Sequence, residues 1–275
     1  MSVPVGLEKI NFKTRTRTRV DEPVASEAPV NIFVNDSYVI TLLATPEYKK
    51  ELALGWLFDE GVLQSLAEIR QIIVSEDRIT VHTLSPITDK RLKVSGVSRI
   101  ITTAGGLSVE KFLKIIEENL WQPVTSDYSI EAEVLMRMTY KLDESHLYRR
   151  TGGGHVAALF EDGRFIALAE DIGRHNTIDK VIGMSLQAHV NFSRSVLVCS
   201  GRQPADMVLK AARMQIPIVV SQAAPIQSGV IAADRTGVTL VCFVRDRQMN
   251  VYTHPHRVVT TDFRRESVES EYVKP

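Results

Sequence analysis

Stretches in which apolar residues fall at every second position alternate along this chain with longer stretches in which they recur every third or fourth. Val30, Ile32 and Val34, then Tyr38, Ile40 and Leu42, flank Asn35-Asp36 in a hairpin pattern. Thr45-Pro46-Glu47 opens a helix predicted to run through Leu63. Proline suits the first helical position, where an N–H has no partner to lose, and Glu47 complements the positive end of the helix dipole. A second hairpin pairs 69–74 with 78–84 across Glu76-Asp77. Two helices are predicted near 109–120 and 130–142, with Gly105-Gly106 before the first and Pro123 after it.

From Thr151 onward the pattern becomes a regular series. Strands at 155–160 and 165–169 flank the turn residues Glu161-Asp162-Gly163. A helix at 174–186, a strand at 196–199, a helix at 204–214, a strand at 216–220, a helix at 226–235 and a strand at 238–244 follow. Apolar strands joined by such helices predict an α/β fold whose sheet is covered on both faces. The chain divides into a polar, flexible arm at 1–28, an α+β part at 29–145, an α/β core at 146–260 and a tail at 261–275.

Composition narrows the setting. Lys+Arg and Asp+Glu both number 33, so bulk charge excludes a protein held to nucleic acid or membrane by net charge alone. No apolar segment opens the chain and no apolar run reaches the length of a membrane span, which makes the cytoplasm the expected location. The two cysteines, Cys199 and Cys242, lie in the apolar runs SVLVCS and VTLVCF and are expected to be buried, reduced thiols.

Three segments carry candidate chemistry. Thr151-Gly152-Gly153-Gly154-His155 lets the backbone approach a ligand and aim several N–H groups at an anion, or else is a flexible connector. It is not a dinucleotide fingerprint, since no strand precedes the glycines and no helix follows, and no P-loop occurs. Asp171-Ile172-Gly173-Arg174-His175-Asn176 stands where a strand gives way to a helix, the usual ligand position in α/β sheets. Asp171 can cap the helix, Arg174 offers a phosphate fork and His175 a titratable ring. Ser200-Gly201-Arg202 repeats that chemistry at the next helix start, although a capped helix with a solvated arginine is a sufficient account of it alone. Together the three suggest a nucleotide or polyphosphate ligand. No residue is assigned a catalytic role, and His254-Pro-His256 has too few neighbouring ligand types for a metal site.

Five separated segments, in order, resemble the signature set of the FdhD family. They are Ala53-Leu54-Gly55-Trp56-Leu57-Phe58-Asp59-Glu60-Gly61, Thr151-Gly-Gly-Gly-His155, Glu170-Asp-Ile-Gly-Arg-His175-Asn176 with Asp179-Lys180, Ser200-Gly-Arg202 and Asn250-Val-Tyr-Thr253. The resemblance spans about residues 29–256. It implies a cytidine-deaminase-like, three-layer α/β/α core beside a smaller α+β part, without the zinc chemistry of the deaminases. It implies service to formate dehydrogenase: sulfur is taken from a cysteine desulfurase and passed to a molybdenum or tungsten bis-guanylyl pterin, molybdopterin guanine dinucleotide. The guanylyl portions, or free GDP or GTP, would occupy the three segments above. By similarity Phe243-Val244-Arg245-Asp246-Arg247-Gln248 would contribute to the same site, and a homodimer remains open. The sulfur-carrying loop of such proteins reads Cys-Gly-x-Cys-Gly, whereas here Thr103–Glu110 puts Ala104 and Leu107 at the cysteine positions. A maturation factor that acts without that loop's thiols, and a diverged guanine-nucleotide-binding protein, are the two functions this leaves.

Overall fold

A computed structural model describes residues 1–88, 91, 100–101 and 122–261 of the protein. The expected helix at 109–120 and the loop Thr103–Glu110 lie outside the described residues. The chain begins with an antiparallel ribbon of β1 (Ser2–Asn11) and β2 (Thr16–Ala25), paired from Ser2↔Ala25 to Asn11↔Thr16. The expected flexible arm is therefore a paired ribbon, most of whose residues are exposed.

Strands β3 (Ala28–Val34), β4 (Ser37–Ala44), β5 (Ile69–Val74), β6 (Arg78–Thr83) and β7 (Ile100–Ile101) form a five-stranded sheet in the order β5-β6-β3-β4-β7. The alternation at Val30, Ile32, Val34, Ile40 and Leu42 puts all five side chains in the core. Helix α1 is Lys49–Asp59, shorter than the predicted 45–63. Thr45 explains the late start, because its backbone N–H and hydroxyl donate to the buried carboxylate of Asp171 and hold residues 45–47 outside the helix.

Residues 130–142, predicted as one helix, divide. Ile130–Glu131 form β8, which pairs in parallel with a late strand at Val258–Val259, and Ala132–Thr139 form α2. Helix α3 (His146–Thr151) follows, with the Ser145 hydroxyl accepting from the Tyr148 N–H at its start. Six residues carry too little periodicity to announce such a helix.

The remaining elements follow the predicted series. They are β9 (His155–Glu161), β10 (Arg164–Asp171), α4 (Arg174–Gln187), β11 (Ser195–Cys199), α5 (Ala205–Arg213), β12 (Ile218–Ser221), α6 (Gln227–Thr236), β13 (Thr239–Arg245), β14 (Gln248–Val251) and β15 (Val258–Val259). A six-stranded sheet runs β10-β9-β11-β12-β13-β14, with β11, β12 and β13 mutually parallel. Along its strands the side chains alternate between two cores. Ala157, Leu159, Leu197, Cys199, Val219, Leu240 and Cys242 pack with Ile178, Val181 and Ile182 of α4 and with α5 and α6. Val156, Ala158, Phe160, Val196, Val198 and Val220 pack with Leu135 and Met138 of α2. The larger part therefore has three layers, helices on both faces of a mixed sheet.

The first of these cores continues through Val30, Ile32, Leu52, Trp56 and Leu57, so the smaller sheet and α1 share it. Two glycines allow α1 to press on α4. A Cβ on Gly55 would stand 1.8 Å from the Asp179 carbonyl oxygen, and one on Gly183 would stand 2.0 Å from that of Glu51. Only glycine permits backbones to cross at that separation.

Candidate functional site

At one edge of the six-stranded sheet, the carboxyl ends of β10, β11, β12 and β13 lie beside the first residue of β9. All three candidate segments and the β13–β14 turn fall on this edge, where an open α/β sheet collects its ligands.

The glycine run contributes less backbone than expected. Gly152 ends α3 at φ 66, its N–H donating to the Tyr148 carbonyl, and the Gly153 N–H donates to the Thr151 hydroxyl. A Cβ on Gly154 would meet Leu147 at 2.7 Å. These glycines turn the chain and pack it, and two of their three N–H groups are engaged within the turn. What they deliver to the edge is His155.

His155 is half-buried. Burial lowers its pKa, and the positive charges of Arg174, His175 and Arg202 add to that effect against the opposing Asp171. Near neutral pH the ring is thus an uncharged hydrogen-bonding group among cations. Its Nδ1 lies 3.5 Å from the Ser200 hydroxyl oxygen, which accepts from the Val156 N–H. Gly201 is wedged between the segments: a Cβ there would come within 3.1 Å of the Arg174 Cβ and 3.6 Å of His155 Nδ1. The structure thus brings His155, Arg174, His175, Ser200 and Arg202 together. Arg202 is exposed, and Arg174 and His175 are half-buried.

Asp171 is placed differently from expectation. It is fully buried, and Gly173, not Asp171, stands at the N-cap of α4. Its Oδ1 accepts from the Gly173 N–H and the Asn176 amide, and its Oδ2 accepts from Thr45 and pairs with Lys180 at 2.6 Å. Burial pushes the Lys180 ammonium below its ordinary range while Asp171 opposes the shift. With both oxygens occupied, Asp171 has no lone pair directed to a ligand; it braces the turn from behind.

Asp206, in the first turn of α5, was not singled out by its sequence setting. Its Oδ2 lies 2.9 Å from His175 Nε2 and joins the first turns of α4 and α5. Burial disfavours its ionisation, but the His175 hydrogen bond and charge and the Met207 N–H outweigh burial and hold the carboxyl below its usual range. An acid in a first turn is common for dipole reasons alone, so the sequence carries no signal of this partner. One turn deeper on both helices the pairing recurs with its polarity reversed: Lys210 of α5 binds Asp179 of α4 at 2.7 Å and also Asp59 of α1. Burial raises the Asp179 carboxyl to about 7 against the pull of Lys210.

The segment Phe243–Gln248 reaches the same edge through β13. Phe243, Asp246 and Arg247 all have left-handed φ values, and the Phe243 N–H donates to the Ala223 carbonyl beyond β12. Arg245, Asp246, Arg247 and Gln248 are exposed, with the Arg245 guanidinium 5.7 Å from the centre of the Phe243 ring. Val244 is buried in the core on the α2 side and faces no ligand. Strand β12 separates this segment from Ser200–Arg202, a spacing of roughly 10 Å across two strand intervals.

Both cysteines are buried and reduced. Burial pushes each thiol up to about 12. Among the described residues no cluster of side chains suits a metal ion, and no helix is long and apolar enough to cross a membrane.

A model described as the FdhD/NarQ family matches residues 25–259. The sulfur carrier protein FdhD of Methanothermobacter thermautotrophicus is 35% identical over 244 residues, covering 88% of this chain and 94% of that protein. The sulfur carrier protein FdhD of Shouchella clausii is 32% identical over 251 residues, covering 90% and 94%. A crystal structure of a candidate formate dehydrogenase accessory protein from Desulfotalea psychrophila is 29% identical, with a TM-score of 0.74 over 94% of this chain and 99% of that one.

Proposed function

This chain belongs to the FdhD/NarQ family, and from that premise we propose that it binds a bis-guanylyl pterin of molybdenum or tungsten and hands it to formate dehydrogenase. The observation that carries the reading is the cluster of Arg174, His175 and Arg202 around neutral His155 at the start of α4, with Gly201 letting the segments approach closely. Guanylyl phosphates suit that cluster: the start of α4 presents the positive end of its dipole, the arginines offer forks, and His155 accepts or donates a hydrogen bond without adding charge. The exposed Arg245 and Arg247 would meet a more distant phosphate of the same cargo.

Sulfur, in this reading, travels by a route that uses no cysteine of this chain. The sequence holds only two, and each is a core thiol with almost no thiolate near neutral pH. The test supplies a cysteine desulfurase with cysteine and the protein and seeks sulfur addition by intact mass. No persulfide is expected, and stoichiometric addition at Cys199 or Cys242 would overturn this half of the proposal.

The binding half is tested with GDP as probe. Calorimetric titration of wild type, Arg174→Ala and Arg202→Ala should show each variant weaker by about 1.5–3 kcal/mol, the net worth of a hydrogen bond to a charged group. Equal affinities in all three would remove the arginines from the site.

A further inference from the structure

The ribbon β1–β2 lies outside the residues 25–259 matched by the family model, apart from its last residue, and has no part in the site described above. Ten residues a side at about 3.3 Å each carry it roughly 30 Å. Its faces differ. The register puts Val3, Val5 and Leu7 on one face with Val20 and Val24, interrupted by Glu22 opposite Val5, and Val3, Val5 and Val24 are 49%, 42% and 45% exposed. At the tip Phe12 is 90% exposed. Between residues 9 and 20 there are five basic residues and no acidic one, Lys13, Arg15 and Arg17 among them.

An isolated two-stranded ribbon is marginally stable in water, and an exposed aliphatic face with an exposed ring is a surface that another protein covers. The base of the ribbon sets the direction. A Cβ on Gly153 would lie 3.6 Å from the Ala25 Cβ, so the ribbon springs from the glycine turn that delivers His155. A partner that grips the base of the ribbon stands beside the cargo edge.

We propose that this ribbon is a docking arm for the enzyme that receives the cargo, inserting Phe12 into an apolar depression bordered by acidic side chains. The identity of that enzyme as formate dehydrogenase rests on the function proposed above. Charge argues against a second copy as occupant, since two tips carrying Lys13 and Arg15 repel and two of the ribbon's acids, Glu8 and Glu22, are already paired within it with Arg17 and Lys9. The aliphatic face argues against single-stranded nucleic acid, whose bases stack on aromatic rings.

The test uses full-length protein and immobilised apo-formate dehydrogenase. The triple variant Lys13→Glu, Arg15→Glu, Arg17→Glu should bind about tenfold or more weakly, Phe12→Ser should also bind more weakly, and wild-type binding should weaken as salt is raised. GDP affinity should be unchanged in both variants. Equal binding of wild type and variants would overturn the arm and leave the proposed function standing, whereas no binding even by wild type would overturn both. Sedimentation equilibrium showing a wild-type dimer that the triple variant abolishes would give the arm to a second copy. Displacement of the enzyme by a single-stranded oligonucleotide would give it to nucleic acid, and either result would overturn the proposal.

Discussion

The candidate site has a front and a rear built on opposite rules. The front gathers Arg174 and Arg202 around His155 and His175, half-buried or exposed, with Asp206 in contact with His175. The rear consists of closed ion pairs and backbone contacts: Lys180 with Asp171, Lys210 with Asp179 and Asp59, and the glycine crossing of α1 and α4. Like charges at the front are costly until an anion arrives. The rear supplies the rigidity that keeps them gathered. Substitutions at the rear should therefore act on folding, and those at the front on binding.

The largest effect is expected from Asp171→Ala, which strands a buried lysine and releases Thr45, Gly173 and Asn176 together. Breaking one side of a buried pair costs about 3–5 kcal/mol. Urea titration followed by circular dichroism measures it, and a midpoint equal to wild type would show that Asp171 does not brace the turn. Gly183→Ala comes next. Its methyl group would press on the Glu51 carbonyl, and overpacking of this kind costs about 1–3 kcal/mol. A thermal melt unaltered by the substitution would mean that α1 and α4 part easily.

The smallest effect belongs to the front and appears as a pH slope. His155 has a folded pKa below its ordinary 6.5. From that value down to the lower folded one, the unfolded chain takes up a proton that the native ring refuses. Stability is therefore lost as pH falls through this window and is fully present above it. His155→Gln should flatten the slope between urea midpoints at pH 7 and pH 5.5, and an unchanged slope would show that neither burial nor the nearby cations hold the ring neutral.

Much of this frame was legible in the chain. The strand and helix series from His155 to Arg245 fell within a residue or two of prediction, because alternation and 3.6-residue recurrence arise directly from burial on one face. The ends of β10 and β11 share one edge, and the glycine segment joins them there only because β9 runs antiparallel to both, which its own residues do not announce. Several features had no local cause. Thr45 leaves its helix for a carboxylate 126 residues away. The ion pairs of Asp206 and Lys210 join helices whose own surfaces look ordinary. Val244 and Asp171 stand among expected ligand contacts in sequence, and the structure buries both.

The helix crossing has a consequence for how the protein can be divided. Gly55 and Gly183 fasten the smaller sheet to the larger through one continuous core, so the line at residue 145 separates two patterns but not two bodies. A fragment ending there would turn Leu52, Trp56 and Leu57 toward water, and its complement would lose the cover over Ile178 and Val181. Neither half is a transferable module; the site-bearing half can be grafted elsewhere only together with the helix that lies across it.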